Sequence, residues 1–231
     1  MKADRGATRR LVRDIQRHLS AIYRIDTAEE AADFLLDEGG RARLAERGSY
    51  PADDGELLLL EEADDLWMGV YLPEHVRDPL ARLNPYRRLD DANLAPFLTV
   101  VEETSHFLYL VWNLRHGRPV TRLELELQAE VDKFATGVLL LAGQRRAHEG
   151  ALGQRDLTRI LFEDWSLAEG LDEEEAGRYR AASRLAALYC RGLESSYLPA
   201  HGPARIDSML QDLRRFYRRR YDAKIRHITQ N

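Results

Sequence analysis

Hydrophobic residues recur at helical spacing along most of this chain. Near its beginning, Leu11, Ile15 and Leu19 lie four residues apart, which places them on one face of an α-helix. The same periodicity, interrupted by glycines and prolines, predicts a mostly helical protein. The helices predicted in this way cover residues 7–20, 94–113, 121–141, 155–168, 172–194 and 204–226.

Two capping boxes mark further helix starts. Thr27 is followed three residues later by Glu30, and Thr121 by Glu124. In such a box the threonine and glutamate side chains satisfy each other's backbone amides. The first box predicts a helix that ends at the glycine pair beginning with Gly39, and the second predicts the start of the helix over 121–141.

Short apolar runs replace the helical pattern between residues 56 and 72. Residues 56–61 and 66–72 are such runs, separated by an acidic turn. This arrangement predicts a β-hairpin. The next stretch contains Pro73, Pro79 and Pro85 and is predicted to be a loop with a short helix.

Composition and charge limit the classes of protein. The chain has 231 residues, 44% hydrophobic and 32% charged, which is typical of a globular domain. Cys190 is the only cysteine, which excludes an internal disulfide framework and fits a reducing compartment. We find no apolar leader and no run long enough for a bilayer, so a cytoplasmic protein without membrane association is expected.

Both ends of the chain are basic. Residues 1–18 hold six basic and two acidic side chains, and residues 205–231 hold eight and three. Such ends could contact nucleic acid. Arginines that cover solvated helix faces are the favoured interpretation, because only three of the 34 basic residues are lysine.

The strongest chemical signal is the segment Glu102-Glu103-Thr-Ser-His106. Residues four apart lie on one face of a helix, so Glu102 and His106 can approach the same ion. This is the arrangement of the H-E-x-x-H helix of zinc peptidases, with glutamate in place of the first histidine. Glu130 can supply a third ligand, because the turn at 117–119 brings the next helix back alongside.

Two segments together resemble the ImmA/IrrE family of metallopeptidases. They are residues 100–108 and the segment 130–135, whose sequence Glu-Val-Asp-Lys-Phe-Ala is similar to the E-A-N-x-F-A pattern of that family. The resemblance covers about residues 56–141. It implies metal ligation by Glu102, His106 and Glu130, with Glu103 as the general base.

The same resemblance implies a fold and a domain organisation. The expected fold is α+β and mostly helical, with a small β-hairpin packed on zincin-like site helices and a C-terminal helical extension. An N-terminal helical region (1–50), a metallopeptidase-like core (51–145) and a C-terminal helical region (146–231) would form one continuous globular unit.

The leading functional hypothesis is a metallopeptidase-like protein that hydrolyses an amide bond through metal-bound water. Glu102 makes the ligand set harder, which favours manganese or iron over zinc, and its added charge makes bound water harder to deprotonate. The alternative is a catalytically inactive regulatory or protein-interaction protein that retains the fold. Both imply a protein substrate or partner.

Two other interpretations of these residues stay open. Glu103 and His106 also have the i, i+3 spacing of ferritin-like di-metal bundles, with Glu126 and Glu130 as partners. No other histidine of the chain has a glutamate three residues before it, although that architecture needs a second such pair. Alternatively, the glutamates are surface charges, with Glu130 paired to Lys133 one turn later.

Overall fold

The computed structural model describes residues 5–46, 56–62, 65–144, 154–163, 173–198 and 203–230. They form a mostly helical α+β fold with a small antiparallel hairpin, as predicted. In chain order the elements are α1 (Arg5–Tyr23), a 3-10 turn (Ala31–Phe34), α2 (Glu38–Ala45), β1 (Glu56–Glu62), β2 (Asp65–Tyr71), α3 (Glu74–Arg82), α4 (Leu94–Arg115), α5 (Arg122–Gln144), α6 (Gln154–Phe162), α7 (Glu173–Tyr197), α8 (Pro203–Tyr217) and α9 (Tyr221–Gln230). The boundaries predicted after residues 50 and 145 lie outside the described residues.

Helices α4 and α5 form the centre of the fold. Most side chains of α4 are buried, on every face of the helix, because α1, α3, α5 and the hairpin all pack against it. Helix α5 lies between α4 on one side and α6 and α7 on the other. A helix that is apolar on most sides is an interior helix, so the polar side chains in the middle of α4, such as Glu103 and His106, are buried within the protein. Among the described helices, none combines the length and apolar content needed to cross a membrane.

The hairpin packs closely on the segment before α2. β1 pairs with β2 in the register that sets Leu58 opposite Gly69, and the amide of Leu36 donates to the carbonyl of Val70 at 2.9 Å. A Cβ at Gly69 would lie 2.4 Å from Cδ1 of Leu36. Glycine at this position therefore permits the close approach of the two segments.

The helix predicted to run from Thr27 to Gly39 is wrong. A 3-10 turn over 31–34 takes its place, and Gly39 lies in the first turn of α2. The Asp37 side chain accepts from the amide of Gly40 at 2.9 Å and caps α2. The Gln16 side chain accepts from the amide of Ala31 at 2.7 Å, so α1 provides the backbone hydrogen bond that a continuing helix would have made.

The helix predicted over 204–226 is divided in two. Helix α8 ends at Tyr217 and α9 begins at Tyr221. The Arg218 guanidinium donates to the carbonyl of Tyr23 at 2.9 Å, which is at the end of α1. The resulting bend directs Lys224 of α9 into the interior, where it is fully buried.

Candidate metal centre

Helix α4 carries three of the predicted site residues, Glu102, Glu103 and His106, within five consecutive positions. Glu103 and His106 are buried, and the Glu102 side chain is 21% exposed. The apolar residues on both sides of the motif, Val101 and Phe107, are completely buried. The side chains of Glu102 and His106, four residues apart on one face of α4, are directed towards α5.

Helix α5 runs antiparallel to α4 and presents its own polar side chains to this segment. Glu126 lies beside His106, and Lys133 lies beside Glu102. Residue numbers therefore increase along α4 in the direction in which they decrease along α5. We refer to Glu102, Glu103, His106, Glu126, Glu130 and Lys133 as the α4–α5 cluster. It combines four carboxylates, one imidazole and one ammonium group between two packed helices.

Three members of the cluster are placed as metal ligands would be. One ligand atom from each of Glu102, His106 and Glu126 lies within 4.8 Å of the other two. Nε2 of His106 is 3.5 Å from Oε2 of Glu126, and it is a buried atom that makes no hydrogen bond with a described residue. The structure thus brings the predicted pair Glu102 and His106 together, and Glu126 lies where a third ligand would be.

Glu130, the predicted third ligand, bonds instead to a lysine. Its Oε1 accepts from Nζ of Lys133 at 2.8 Å, the pairing that the surface-charge interpretation predicts. The same ammonium donates to Oε2 of Glu102 at 3.0 Å. Lys133 therefore bridges the two helices, and metal ligation by Glu130 stays a prediction.

Glu103, the predicted base, lies on the other side of the imidazole. Its Oε2 is 3.8 Å from Nδ1 of His106, whereas Glu126 faces Nε2. A carboxylate at the second nitrogen of a metal-binding histidine fixes the tautomer and the orientation of the ring. Oε2 of Glu103 is buried and makes no hydrogen bond with a described residue, so a small approach towards Nδ1 would give it this orienting role.

Burial and charge shift the proton affinities of the cluster. Burial raises the pKa of Glu103 to about 7, against the opposing effect of His106. Burial alone would lower the pKa of His106, but the charge of Glu126 and contact with Glu103 outweigh it, and that pKa is raised well above the usual histidine range. A cation bound to His106 would therefore compete with a proton on the imidazole ring.

The donor set fits a divalent ion. Ligand atoms bind such ions at about 2.0–2.2 Å, so ligands on opposite sides are separated by about 4 Å. The observed separations of up to 4.8 Å require only a small inward movement of the side chains of Glu102 and Glu126. The buried Nε2 of His106, which makes no hydrogen bond with the described residues, would gain its missing partner.

A second buried polar group, which the sequence analysis did not identify, lies beside the cluster. Asp132 accepts from the hydroxyls of Tyr23 and Ser105, the latter at 2.6 Å, and from Gln128 at 2.8 Å. Lys224 donates to Gln128 at 2.7 Å. We call these five residues the Asp132 network. The sequence signal that could have identified this network is Asp132, which occupies the position of the asparagine in the E-A-N-x-F-A pattern.

Two further residues singled out in the sequence can be compared with the structure. Cys190 is completely buried, and burial raises the pKa of its thiol. The Thr121 hydroxyl accepts from the amide of Glu124 at 3.2 Å, which is half of the predicted capping box. The other half is wrong, because the Glu124 carboxylate accepts from the Tyr109 hydroxyl at 2.6 Å.

Comparisons of the chain with models of protein families, with curated proteins and with solved structures find no match.

Proposed function

We propose that this chain binds a divalent metal ion through Glu102, His106 and Glu126. Two observations carry the proposal. One ligand atom from each of these three side chains lies within 4.8 Å of the other two, and Nε2 of His106 is buried and has no hydrogen-bond partner among the described residues. Two carboxylates and one imidazole form a hard ligand set that suits manganese or iron and also accepts zinc. Glu103 would hold the imidazole through Nδ1.

Amide hydrolysis is the candidate reaction. A bound divalent ion would supply Lewis-acid activation of water and of a carbonyl group. The pKa of Glu103, about 7, suits a group that accepts and returns a proton near neutral pH. To act in this way, the Glu103 carboxylate would have to turn from Nδ1 of His106 towards the ligand side. The resemblance of residues 100–108 and 130–135 to the ImmA/IrrE family supports this chemistry.

A regulatory or protein-interaction role is the second candidate. The observation that favours it is the position of Glu103 against Nδ1 of His106 at 3.8 Å, on the side away from Glu126. In this role the ion stabilises the α4–α5 pair, and Glu103 only orients a ligand.

Metal titration tests the proposal. Chelator-treated protein should bind about one equivalent of Mn²⁺ or Zn²⁺ in a calorimetric titration, and His106→Ala should abolish that binding because it removes the central ligand. His116→Ala is the matched control, since His116 is an exposed histidine at the end of the same helix. Wild-type protein that binds neither ion would overturn the proposal.

Glu103→Gln separates the two roles within the same titration. If Glu103 orients His106, the variant should lose about 10–100-fold in metal affinity. If Glu103 is the base, the variant should keep its affinity and lose hydrolysis of a denatured protein substrate that the wild-type protein cleaves. Equal cleavage by both proteins would exclude the base role.

A further inference from the structure

The α4–α5 cluster contains more anionic ligands than one ion needs. Glu102, Glu103, Glu126 and Glu130 together can carry four negative charges, and all four side chains are at least three-quarters buried. A carboxylate buried without a cation is strongly disfavoured. One divalent ion at Glu102, His106 and Glu126 would neutralise only half of this charge.

Lys133 provides a second positive charge at a defined place. Its Nζ lies 3.0 Å from Glu102 and 2.8 Å from Glu130, and its side chain is only 12% exposed. The cluster therefore consists of two groups that share Glu102. In the first group Glu102 lies with His106 and Glu126, and in the second it lies with Glu130 and the ammonium of Lys133. Carboxylates shared between two cations are characteristic of two-metal centres built on facing helices.

We propose that Lys133 is a tethered cation that occupies the second cation position of the cluster and limits the site to one divalent ion. This inference rests on the proposed metal-binding function. Removal of the ammonium should leave Glu102 and Glu130 as the ligands of a second divalent ion. The charge balance supports this outcome, since two divalent ions match the four carboxylates.

The stoichiometry of metal binding tests this inference. Chelator-treated wild-type protein and Lys133→Met should be titrated with Mn²⁺, and bound metal should also be measured by elemental analysis after desalting. We expect about one equivalent in the wild-type protein and about two in Lys133→Met. Magnetic coupling between two neighbouring Mn²⁺ ions in the electron paramagnetic resonance spectrum would place both ions in one cluster.

Three control variants keep the test specific. Lys133→Arg retains the positive charge and should bind one ion. Lys133→Gln has a polar side chain and replaces Lys133→Met if the latter does not fold, as judged by circular dichroism. The double variant Lys133→Met, Glu130→Gln lacks a ligand of the second position and should return to one ion.

Each outcome has a separate meaning. One equivalent in both the wild-type protein and the neutral variants overturns the inference and leaves the proposed function intact, because Lys133 would then be an ordinary ion-pair partner. Absence of metal from the wild-type protein and all variants overturns both. Absence of metal from the wild-type protein with one equivalent in Lys133→Met also overturns the inference, since Lys133 would then exclude every ion.

Discussion

Lysine and arginine have different places in this protein. Arginine outnumbers lysine about tenfold, and of the three lysines the structure describes Lys133 and Lys224. Both lie between packed helices, Lys133 among carboxylates and Lys224 above the rings of Tyr109 and Phe216, at 4.4 and 4.9 Å. An ammonium group is a compact charge with three donors, whereas a guanidinium is a wide planar fork. A lysine therefore places its charge at one point between packed side chains.

Two stacked tyrosines allow the hydrogen bonds of the Tyr23 hydroxyl, which donates to Asp132 and accepts from Gln128 at 3.3 Å, to be measured. The rings of Tyr23 and Tyr217 are 4.1 Å apart, and both side chains are buried. The Tyr23 hydroxyl donates to Asp132, so Tyr23→Phe leaves a buried carboxylate with one partner fewer. We expect a loss of about 1–3 kcal/mol in the free energy of unfolding, measured by urea denaturation.

Tyr217→Phe is the matched control. The Tyr217 hydroxyl makes no hydrogen bond with any residue that the structure describes, so its removal should change the free energy of unfolding by less than about 0.5 kcal/mol. Equal losses in the two variants would show that ring packing, and not the bond to Asp132, determines the effect of Tyr23.

At the scale of elements, the approach of α6 to α5 depends on one glycine. A Cβ at Gly137 of α5 would lie 2.6 Å from Cδ2 of Leu157, and Leu157 of α6 is completely buried. Such a distance is far inside van der Waals contact, so the leucine would have to move in a closely packed environment. Glycine at residue 137 therefore lets α6 lie against α5 without displacing Leu157.

Alanine substitution of two helical glycines tests this packing. Gly137→Ala should lower the free energy of unfolding by about 1–3 kcal/mol because it overpacks the α5–α6 contact. Gly192→Ala on α7 should raise it by about 0.5–1 kcal/mol, because that position has free space and alanine is the better helix former. Thermal denaturation measures both, and stabilisation by Gly137→Ala would contradict the close approach.

At the scale of the whole molecule, the Asp132 network connects distant parts of the chain. Tyr23 ends α1, Ser105 belongs to α4, Gln128 and Asp132 belong to α5, and Lys224 belongs to α9. Burial raises the pKa of Asp132 to about 6 and lowers the pKa of Lys224 to about 7. Since these groups tie both ends of the chain to the core, their protonation affects the unfolding of the entire protein.

Stability should rise with pH through the titration of Lys224. Between the folded pKa of about 7 and the ordinary lysine value of 10.5, the unfolded chain binds a proton that the folded protein does not. Unfolding then becomes less favourable as pH rises, by at most about 1.4 kcal/mol per pH unit. Lys224→Met has no such group and should lack this contribution.

The difference in unfolding free energy between the wild-type protein and Lys224→Met should be measured from pH 7 to 9. Titrating groups that do not interact with Lys224 are common to both proteins and cancel in this difference. Loss of Lys224 raises the pKa of Asp132, which changes the difference in the same direction. We expect the difference to change steadily in favour of the wild-type protein as pH rises. A difference that is constant over this interval would show that Lys224 is charged in the folded protein.

Most elements and the local half of the site could be predicted from the sequence. Helical periodicity and the Thr121 cap, which depend on neighbours within one turn, predicted α4 and α5, and two short apolar runs predicted the hairpin over 56–72. Glu102 and His106 meet for the same reason, since positions four apart share a face in any α-helix. Local patterns gave a wrong prediction where a distant group made the hydrogen bond instead. At residues 27–39 the amide of Ala31 donates to the Gln16 side chain and not to a preceding carbonyl of a continuous helix.

The residues of α5 that contact this pair follow from long-range packing. Glu126 and Glu130 are four residues apart and lie on the same face of α5, so the sequence cannot distinguish them. The offset of α5 along α4 places Glu126 beside His106 and leaves Glu130 to Lys133. That offset depends on how buried side chains of four neighbouring elements pack against α4. The burial of Lys224 likewise depends on contacts with residues far away in the sequence. Long-range packing of this kind leaves no periodic signal in the chain.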